Sequence, residues 1–328
     1  AGPSAPGTAY VLLHLSMGDP GDGHAGGWGF VRGGTGGLAA ACRAAAQARG
    51  AEIRTGAEVS AIMTRGDRAS GVALTSGDEV HAPVVISSVH PKVAFLELLD
   101  PAQLPPDFVA DIRRFKCRGG GVKINLALGE LPDFVAAPGT TLQEHHTGGI
   151  ELAPSPRYVQ AAFDDACAGR AAAHPTCDAM IPSSLDDSLA PTGRHILSLF
   201  TQWVPHEWVA EPHREDLEEY ADGVIAGLAE LAPNLPASII ARQVIGPHDM
   251  QEQLGLVGGN VYGGELSVDQ MFHLRPAAGY ADYRTPVKGL YNGSAGAHGG
   301  GGISGIPGWQ AFRQAMKDRK HARLRPTL

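Results

Sequence analysis

The sequence predicts a chain of class α/β plus α+β: an α/β domain of Rossmann-like, nucleotide-binding type interleaved with a strand-rich second domain. Three observations carry this. Glycines cluster directly before helix-like runs at 33–37 and 293–308, where backbone turns tightly or comes close to something. The stretch "VVIS" at 84–87 is nearly all apolar, as in a strand covered on both faces. From 91 to 285 the texture changes to alternating strands and short, proline-broken helices. The α/β pieces are then 33–90 and 286–328, and the strand-rich pieces are 1–32 and 91–285.

The elements follow in order. "YVLLHLSM" at 10–17 reads as a buried strand, "DPGDGHAGG" as a turn-rich loop, and "WGFV" at 28–31 as a short strand. A small-residue helix over 38–49 ends at Gly50, a good residue to close a helix. Its Ala41, Ala45 and Ala48 are expected to pack on a sheet. "AEI", "EVSAIMT", "ASGVALTSG" and "EVHAPVVISS" read as strands with turns at Gly66-Asp67 and Gly77-Asp78. "PKVAFLELLD" and "PDFVADIRRF" are short helices. "GVKINLAL" at 121–128 alternates like a half-buried strand, and "DAMIPSS" and "RHILSLFTQW" are two more strands. Over 215–231, Leu217, Tyr220, Ala221, Val224, Ile225, Leu228 and Leu231 form one helical stripe. "SIIARQVIG" and "GLYNGSA" are strands, and "WQAFRQAMKDRKHAR" is a terminal helix.

Composition excludes several function classes. With 43% hydrophobic and 18% charged residues in 328, the chain is globular. Its net charge of −8 argues against a nucleic-acid surface, and the basic run "KDRKHARLR" at 317–325 reads as a solvated helix tail. No apolar run reaches the roughly 18 residues that span a bilayer. Four cysteines without C-x-x-C read as a reduced, cytoplasmic protein, although Cys167 and Cys177 are near enough in sequence to pair. Glu144-His145-His146 are neighbours that point apart, so no metal is expected. Ser87, Ser88 and His90 lie too close in sequence for a hydrolase triad, and no G-x-S-x-G occurs.

The runs "GGTGGLAAACRAAAQARGAEIRTGAEVSAI", "VVISSVHP" and "GLYNGSAGAHGGGGISGIPG" resemble the flavoprotein family of phytoene desaturase and amine oxidase. They are most similar to its branch of pyridine nucleotide-disulfide oxidoreductase domain-containing protein 2. "KINLAL", "LSLFTQW", "GGNVYGGELSVDQMFHLRP" and "GYADYRTPVKGLY" extend the resemblance along nearly the whole chain, in order. It implies an FAD domain woven together with a substrate domain, and FAD as cofactor. It also implies hydride transfer to the flavin from an apolar small-molecule substrate held between the domains. The family's opening strand and G-x-G-x-x-G turn have no counterpart upstream of Tyr10. The resemblance therefore covers the C-terminal two-thirds of such an enzyme. An N-terminal FAD-binding portion, or a partner chain supplying it, is expected, and a homo-oligomer is open. A non-catalytic binding or scaffolding protein derived from the family is the alternative.

Candidate site residues come from these motifs. Gly34-Thr35-Gly36-Gly37-Leu38-Ala39 fits G-x-G-x-x-A, the pattern of a dinucleotide turn. The resemblance instead makes it the point where the chain re-enters the FAD domain. The resemblance gives Val59 a place at the adenine end of FAD, although it also reads as an ordinary buried strand valine. The resemblance implies that Gly296, Gly300, Gly301, Gly302 and Ile303 line the flavin and its ribityl-phosphate chain, on a path that a flat ring or phosphate can approach; the alternative is a flexible loop before a helix. Ala295 and Gly299 depart from the family's usual residues there. His298 is the candidate to orient substrate or stabilise flavin charge, or simply to bond loop backbone. Tyr262, Glu265, Asp269 and Arg275 border a substrate cavity or form a loop with internal salt bridges. Flavin chemistry needs no side-chain nucleophile, so none is expected.

Overall fold

The computed structural model describes residues 2–16 and 29–324. In chain order these hold α1 (Ala9–Ser16), α2 (Thr35–Gln47), β1 (Val59–Arg65), β2 (Arg68–Leu74), β3 (Glu79–His81), β4 (Val85–Ser87), α3 (Pro91–Leu96), α4 (Pro106–Arg114) and β5 (Gly121–Leu128). There follow β6 (Ile150–Leu152), α5 (Pro156–Cys167), β7 (Thr176–Met180), β8 (His195–Gln202), α6 (Arg214–Ala229), α7 (Leu235–Ser238), β9 (Ile239–Ile245), α8 (Pro247–Leu254), β10 (Leu290–Asn292) and α9 (Ile306–Leu324). The chain divides into two compact units, residues 1–53 with 119–259 and residues 54–118 with 260–328.

The first unit is built on an antiparallel sheet in the order β6-β7-β8-β5-β9. Strand β5 buries Val122, Ile124, Leu126 and Leu128 on one face, the period-2 outcome of "GVKINLAL". The α6 stripe of Leu217, Tyr220, Ala221, Val224, Ile225 and Leu228 belongs to the same core. Glu215 and Asp216 in the first turn of α6 suit its positive end. Truncating a fully buried leucine such as Leu126 costs about 2–5 kcal/mol.

The second unit holds an antiparallel sheet β1-β2-β3 and the parallel pair β10-β4, with Leu290 opposite Val85 and Asn292 opposite Ser87. Helices α3 and α4 supply Phe95, Phe108 and Ile112 to a core with Ile62 and Leu290. Phe108 meets Phe95 and Tyr280 edge to face, at ring separations of 5.0 and 4.6 Å. Helix α9 packs Ala311 and Ala315 on Tyr291 of β10. Arg284 grips Asp318 of α9 with two hydrogen bonds, and the Tyr291 hydroxyl donates to the same carboxylate.

Several sequence expectations change here. The run at 10–16 is helical rather than strand, and Leu13 is exposed. A short unbroken apolar run carries no period that separates the two states. Trp28 and the loop before it lie outside the described residues; Gly29, Phe30 and Val31 form no strand. Helix α2 forms as expected, but none of its residues is buried, so Ala41 and Ala45 do not pack on a sheet. "AEI" at 51–53 is irregular, and β4 leaves Ile86 40% exposed instead of covered on both faces. All four cysteines are free. The unexpected helices α5 and α8 both begin with proline, and Ser155 caps α5 by accepting from the Tyr158 N–H.

Candidate functional site

The site is built at the carboxyl end of β10. After Asn292 the chain makes a run of tight turns. The Asn292 side-chain oxygen accepts from the Ser294 N–H and hydroxyl, the Ser294 hydroxyl accepts from the Gly296 N–H, and the Gly300 N–H reaches the Ala297 carbonyl. Space makes two of these glycines obligatory. A Cβ on Gly296 would lie 2.4 Å from Pro91 Cδ, and one on Gly300 would lie 2.0 Å from the Ala295 carbonyl oxygen. Gly299, Gly301 and Gly305 then take positive φ angles of 72, 101 and 69°. Gly302 and Ile303 are open, Ile303 at 86% exposure, and α9 begins three residues later. His298 is half-buried inside the loop, and no side-chain hydrogen bond to it is seen among the described residues.

A second loop, 260–276, packs against the first. The Asn260 side-chain oxygen accepts from the Tyr262 and Gly264 N–H groups, and its amide donates to the Arg118 carbonyl. A Cβ on Gly263 would sit 2.8 Å from Ala295 Cβ. Glu265 is buried and takes two hydrogen bonds from the Arg118 guanidinium, at 2.7 and 3.0 Å, and a third from the Arg118 N–H. Burial pushes the Glu265 carboxyl up, but the Arg118 bonds and charge outweigh it and hold it below the usual range. Lys116 pairs with Asp269 at 2.6 Å and lowers that carboxyl too.

His90 and Cys117 lie beneath these loops. His90 caps α3, its Nδ1 accepting from the Lys92 N–H. That assignment leaves the ring proton on Nε2, which stands 3.3 Å from Cys117 Sγ. Burial, with the charges of Lys92 and Arg275, lowers His90 to about 4, against a weaker opposing bond to the Gly263 carbonyl. Burial raises Cys117 to about 11. The pair is therefore neutral imidazole and neutral thiol, not the thiolate and imidazolium of a cysteine nucleophile.

The glycine-loop residues Gly296, Gly300, Gly301, Gly302, Ile303 and His298 come together on one turn. Val59 opens β1, half-buried and paired with Leu74, in the three-stranded sheet. Tyr262, Glu265 and Arg275 share the neighbouring loop. Arg275 is 2% exposed and directs its guanidinium at backbone carbonyls. A cleft of about 440 Å³ in the second unit has Phe115, Leu274 and Pro276 with the Lys116–Asp269 pair along its walls; neither Glu265 nor Arg275 lines it. The sequence reading missed His90, Asn260 and Arg118. Only His90 left a local signal, a capping residue followed by proline at the first helical position.

The G-x-G-x-x-A match at 34–39 has a different setting. Gly34, at φ 81°, starts α2, and the described residues just before it, 29–33, form no strand. The Gly33 N–H, which a phosphate would need, instead donates to Asp186 at 2.6 Å. A carboxylate held there repels an anion.

The described residues form a mixed α/β fold with several sheets, one of them the parallel pair β10-β4. Residues 13–248 match the family described as flavin containing amine oxidoreductase. The chain is 39% identical over 326 residues to pyridine nucleotide-disulfide oxidoreductase domain-containing protein 2 of Rattus norvegicus, covering 97% of this chain and 56% of that protein. It is 26% identical to the lycopene-forming phytoene desaturase of a Paracoccus strain, over 93% of this chain and 57% of the relative. The chain belongs to this flavin-containing family, and it spans little more than half the length of these relatives. Among solved structures, an oxidoreductase from Methanosarcina mazei shares the fold at a TM-score of 0.56 and 22% identity, over 90% of this chain and 56% of the other. A putrescine oxidase variant shares it at 0.54 and 16%, over 88% and 53%.

The family's cofactor is FAD. The residues present fit it. Open backbone at Gly302 and Ile303, unobstructed space at Gly305 and the start of a 19-residue helix stand at the carboxyl end of a parallel strand. Among the described residues no helix is long and apolar enough to cross a membrane.

Proposed function

We propose that this chain is the C-terminal part of an FAD-dependent oxidoreductase that removes hydride from an apolar small molecule. The observation that carries this reading is β10 running parallel to β4 into the glycine loop and α9, in a chain of the flavin-containing family. Bound FAD would supply the two-electron acceptor. This chain's residues would do the holding. Gly296, Gly300, Gly301, Gly302 and Ile303 would present backbone to the cofactor, Val59 would lie toward its adenine end, and His298 would face the substrate or flavin. Neutral His90 and Cys117 would brace the loop without entering the chemistry.

The remainder of the cofactor grip would come from an N-terminal FAD-binding portion or a partner chain. On α9, Ile306, Trp309, Phe312 and Met316 are all more than a third exposed. Open apolar patches of this kind mark surfaces that another protein surface covers. The test is reconstitution of the full-length protein with FAD. The expected result is a bound flavin spectrum bleached by a hydride-donating substrate. A full-length protein that binds no flavin refutes the cofactor reading; one that binds flavin but never reduces it favours the non-catalytic alternative, which the Ala295 and Gly299 departures also support.

A further inference from the structure

We propose that Arg275 is the positioning residue of the glycine loop: a buried cation that sets the Ala295–Gly296 peptide and thereby the backbone offered to flavin. The flavin half of this statement rests on the function proposed above.

The guanidinium gathers carbonyls from two loops. Nη1 donates to Glu265 at 3.2 Å and approaches Gln270 at 3.5 Å. Nη2 donates to Ala295 at 3.0 Å, to Tyr262 at 3.2 Å and to Gly263 at 3.3 Å, and approaches Gly264 at 3.5 Å. The shortest of these contacts goes to Ala295, the residue just before the obligatory Gly296. Its carbonyl is held by Arg275 while the next N–H is held by the Ser294 hydroxyl, so that peptide plane is fixed at both ends. The same carbonyl oxygen is the atom that excludes a side chain at Gly300. Any rotation of the 295–296 peptide therefore disturbs both the turn and the close approach of Gly300.

The chemistry explains why arginine stands here. A buried cation is costly unless polar groups surround it, and carbonyl dipoles with the Phe115 ring, 5.3 Å from the guanidinium carbon, provide that setting. The carbonyls come from separate stretches of chain, and a planar fork reaches them together where the point charge of lysine does not. With its charged head turned inward at 2% exposure, Arg275 is not a substrate contact.

The test uses the full-length protein, with Arg275→Lys, Arg275→Met and, as a stability control in the same unit, Ile112→Val. Two readouts are taken: amide hydrogen exchange of residues 294–301 in flavin-free protein, and FAD affinity with the visible spectrum. Arg275→Lys is expected to speed exchange at 294–301 about ten-fold and to weaken FAD binding about ten-fold, since it loses hydrogen bonds made by a charged donor. Ile112→Val is expected to lower the Tm without either change. Unaltered exchange in Arg275→Lys, or the same alteration in Ile112→Val, overturns the positioning role. Faster exchange with unchanged FAD affinity overturns its link to flavin. If the wild-type protein binds no flavin, the function reading falls separately, and the exchange arm still decides what Arg275 does. Should Arg275→Met fail to fold, the charge-conserving lysine variant carries the test.

Discussion

Residues 33–37 and 293–305 each carry a run of glycines into a helix, α2 and α9 respectively. At the first, a Cβ added to Gly33 or Gly36 would meet nothing within 4 Å, one on Gly37 would lie 2.9 Å from the Arg32 carbonyl oxygen, and no residue of α2 is buried. Glycine serves there through conformation, at Gly33 and Gly34 with φ of 82 and 81°. At the second, Gly296 and Gly300 have no positive φ requirement but no room for a side chain. Their glycines are demanded by crowding, from the Pro91 ring at Gly296 and the Ala295 carbonyl at Gly300. Two turns of similar composition thus differ in how glycine is used, mainly for conformation at 33–34 and for space at 296 and 300, and among the described residues the second follows a parallel strand.

The largest expected difference concerns acid. His90, under the crowded loop, titrates at about 4 when folded and near 6.5 when unfolded. As pH falls below 6.5 the unfolded chain takes the proton first, so stability is complete above 6.5 and is lost toward 4. The loss amounts to about 3 kcal/mol. Urea unfolding at pH 7.5 and 4.5 checks this, and His90→Asn should remove most of the His90 share of the slope. An identical slope in the variant would mean that other groups carry it. Glu265, held low by Arg118, adds to the loss in the same direction at still lower pH.

Next in size, Gly300→Ala should destabilise by about 2–3 kcal/mol, because the new methyl collides with a carbonyl that Arg275 holds in place. A denaturation midpoint equal to wild type would show that the loop yields freely. Gly36→Ala should act oppositely, stabilising by about 0.5 kcal/mol, since alanine favours the helix and nothing obstructs it. Loss of stability there would place an unseen neighbour on α2. Smallest on this chain is Trp309→Gln, expected within about 0.5 kcal/mol by the same assay, because Trp309 is 60% exposed. By the proposal that an N-terminal FAD-binding portion covers this face, the same substitution should weaken that association, measurable by titration of separately expressed parts.

Strands and helices with a clear period were legible in the sequence. The alternation of "GVKINLAL" became β5, with one face in the core, and the stripe from Leu217 to Leu228 became the buried face of α6, while Leu231, past the end of α6, is 38% exposed. Residues 10–16 were not legible, because a short apolar run suits either state. In the candidate site, the glycines were visible as a cluster, and "HP" at 90–91 was a readable helix start. Asn260, Arg118 and Cys117 carried no local sign, since each acts through a neighbour distant in sequence.

The sequence by itself determined the family resemblance, through motifs spread in order along the chain, together with the glycine run and the clearly periodic elements such as β5 and α6, because periodicity and glycine spacing are local properties of the chain. Tertiary structure alone decided which glycine turn is crowded and that Gly33 faces the Asp186 carboxylate. It alone decided, too, that Arg275 turns inward to Ala295. The Gly33–Asp186 and Arg275–Ala295 contacts join groups 20 to more than 150 residues apart, and no local pattern encodes such a meeting.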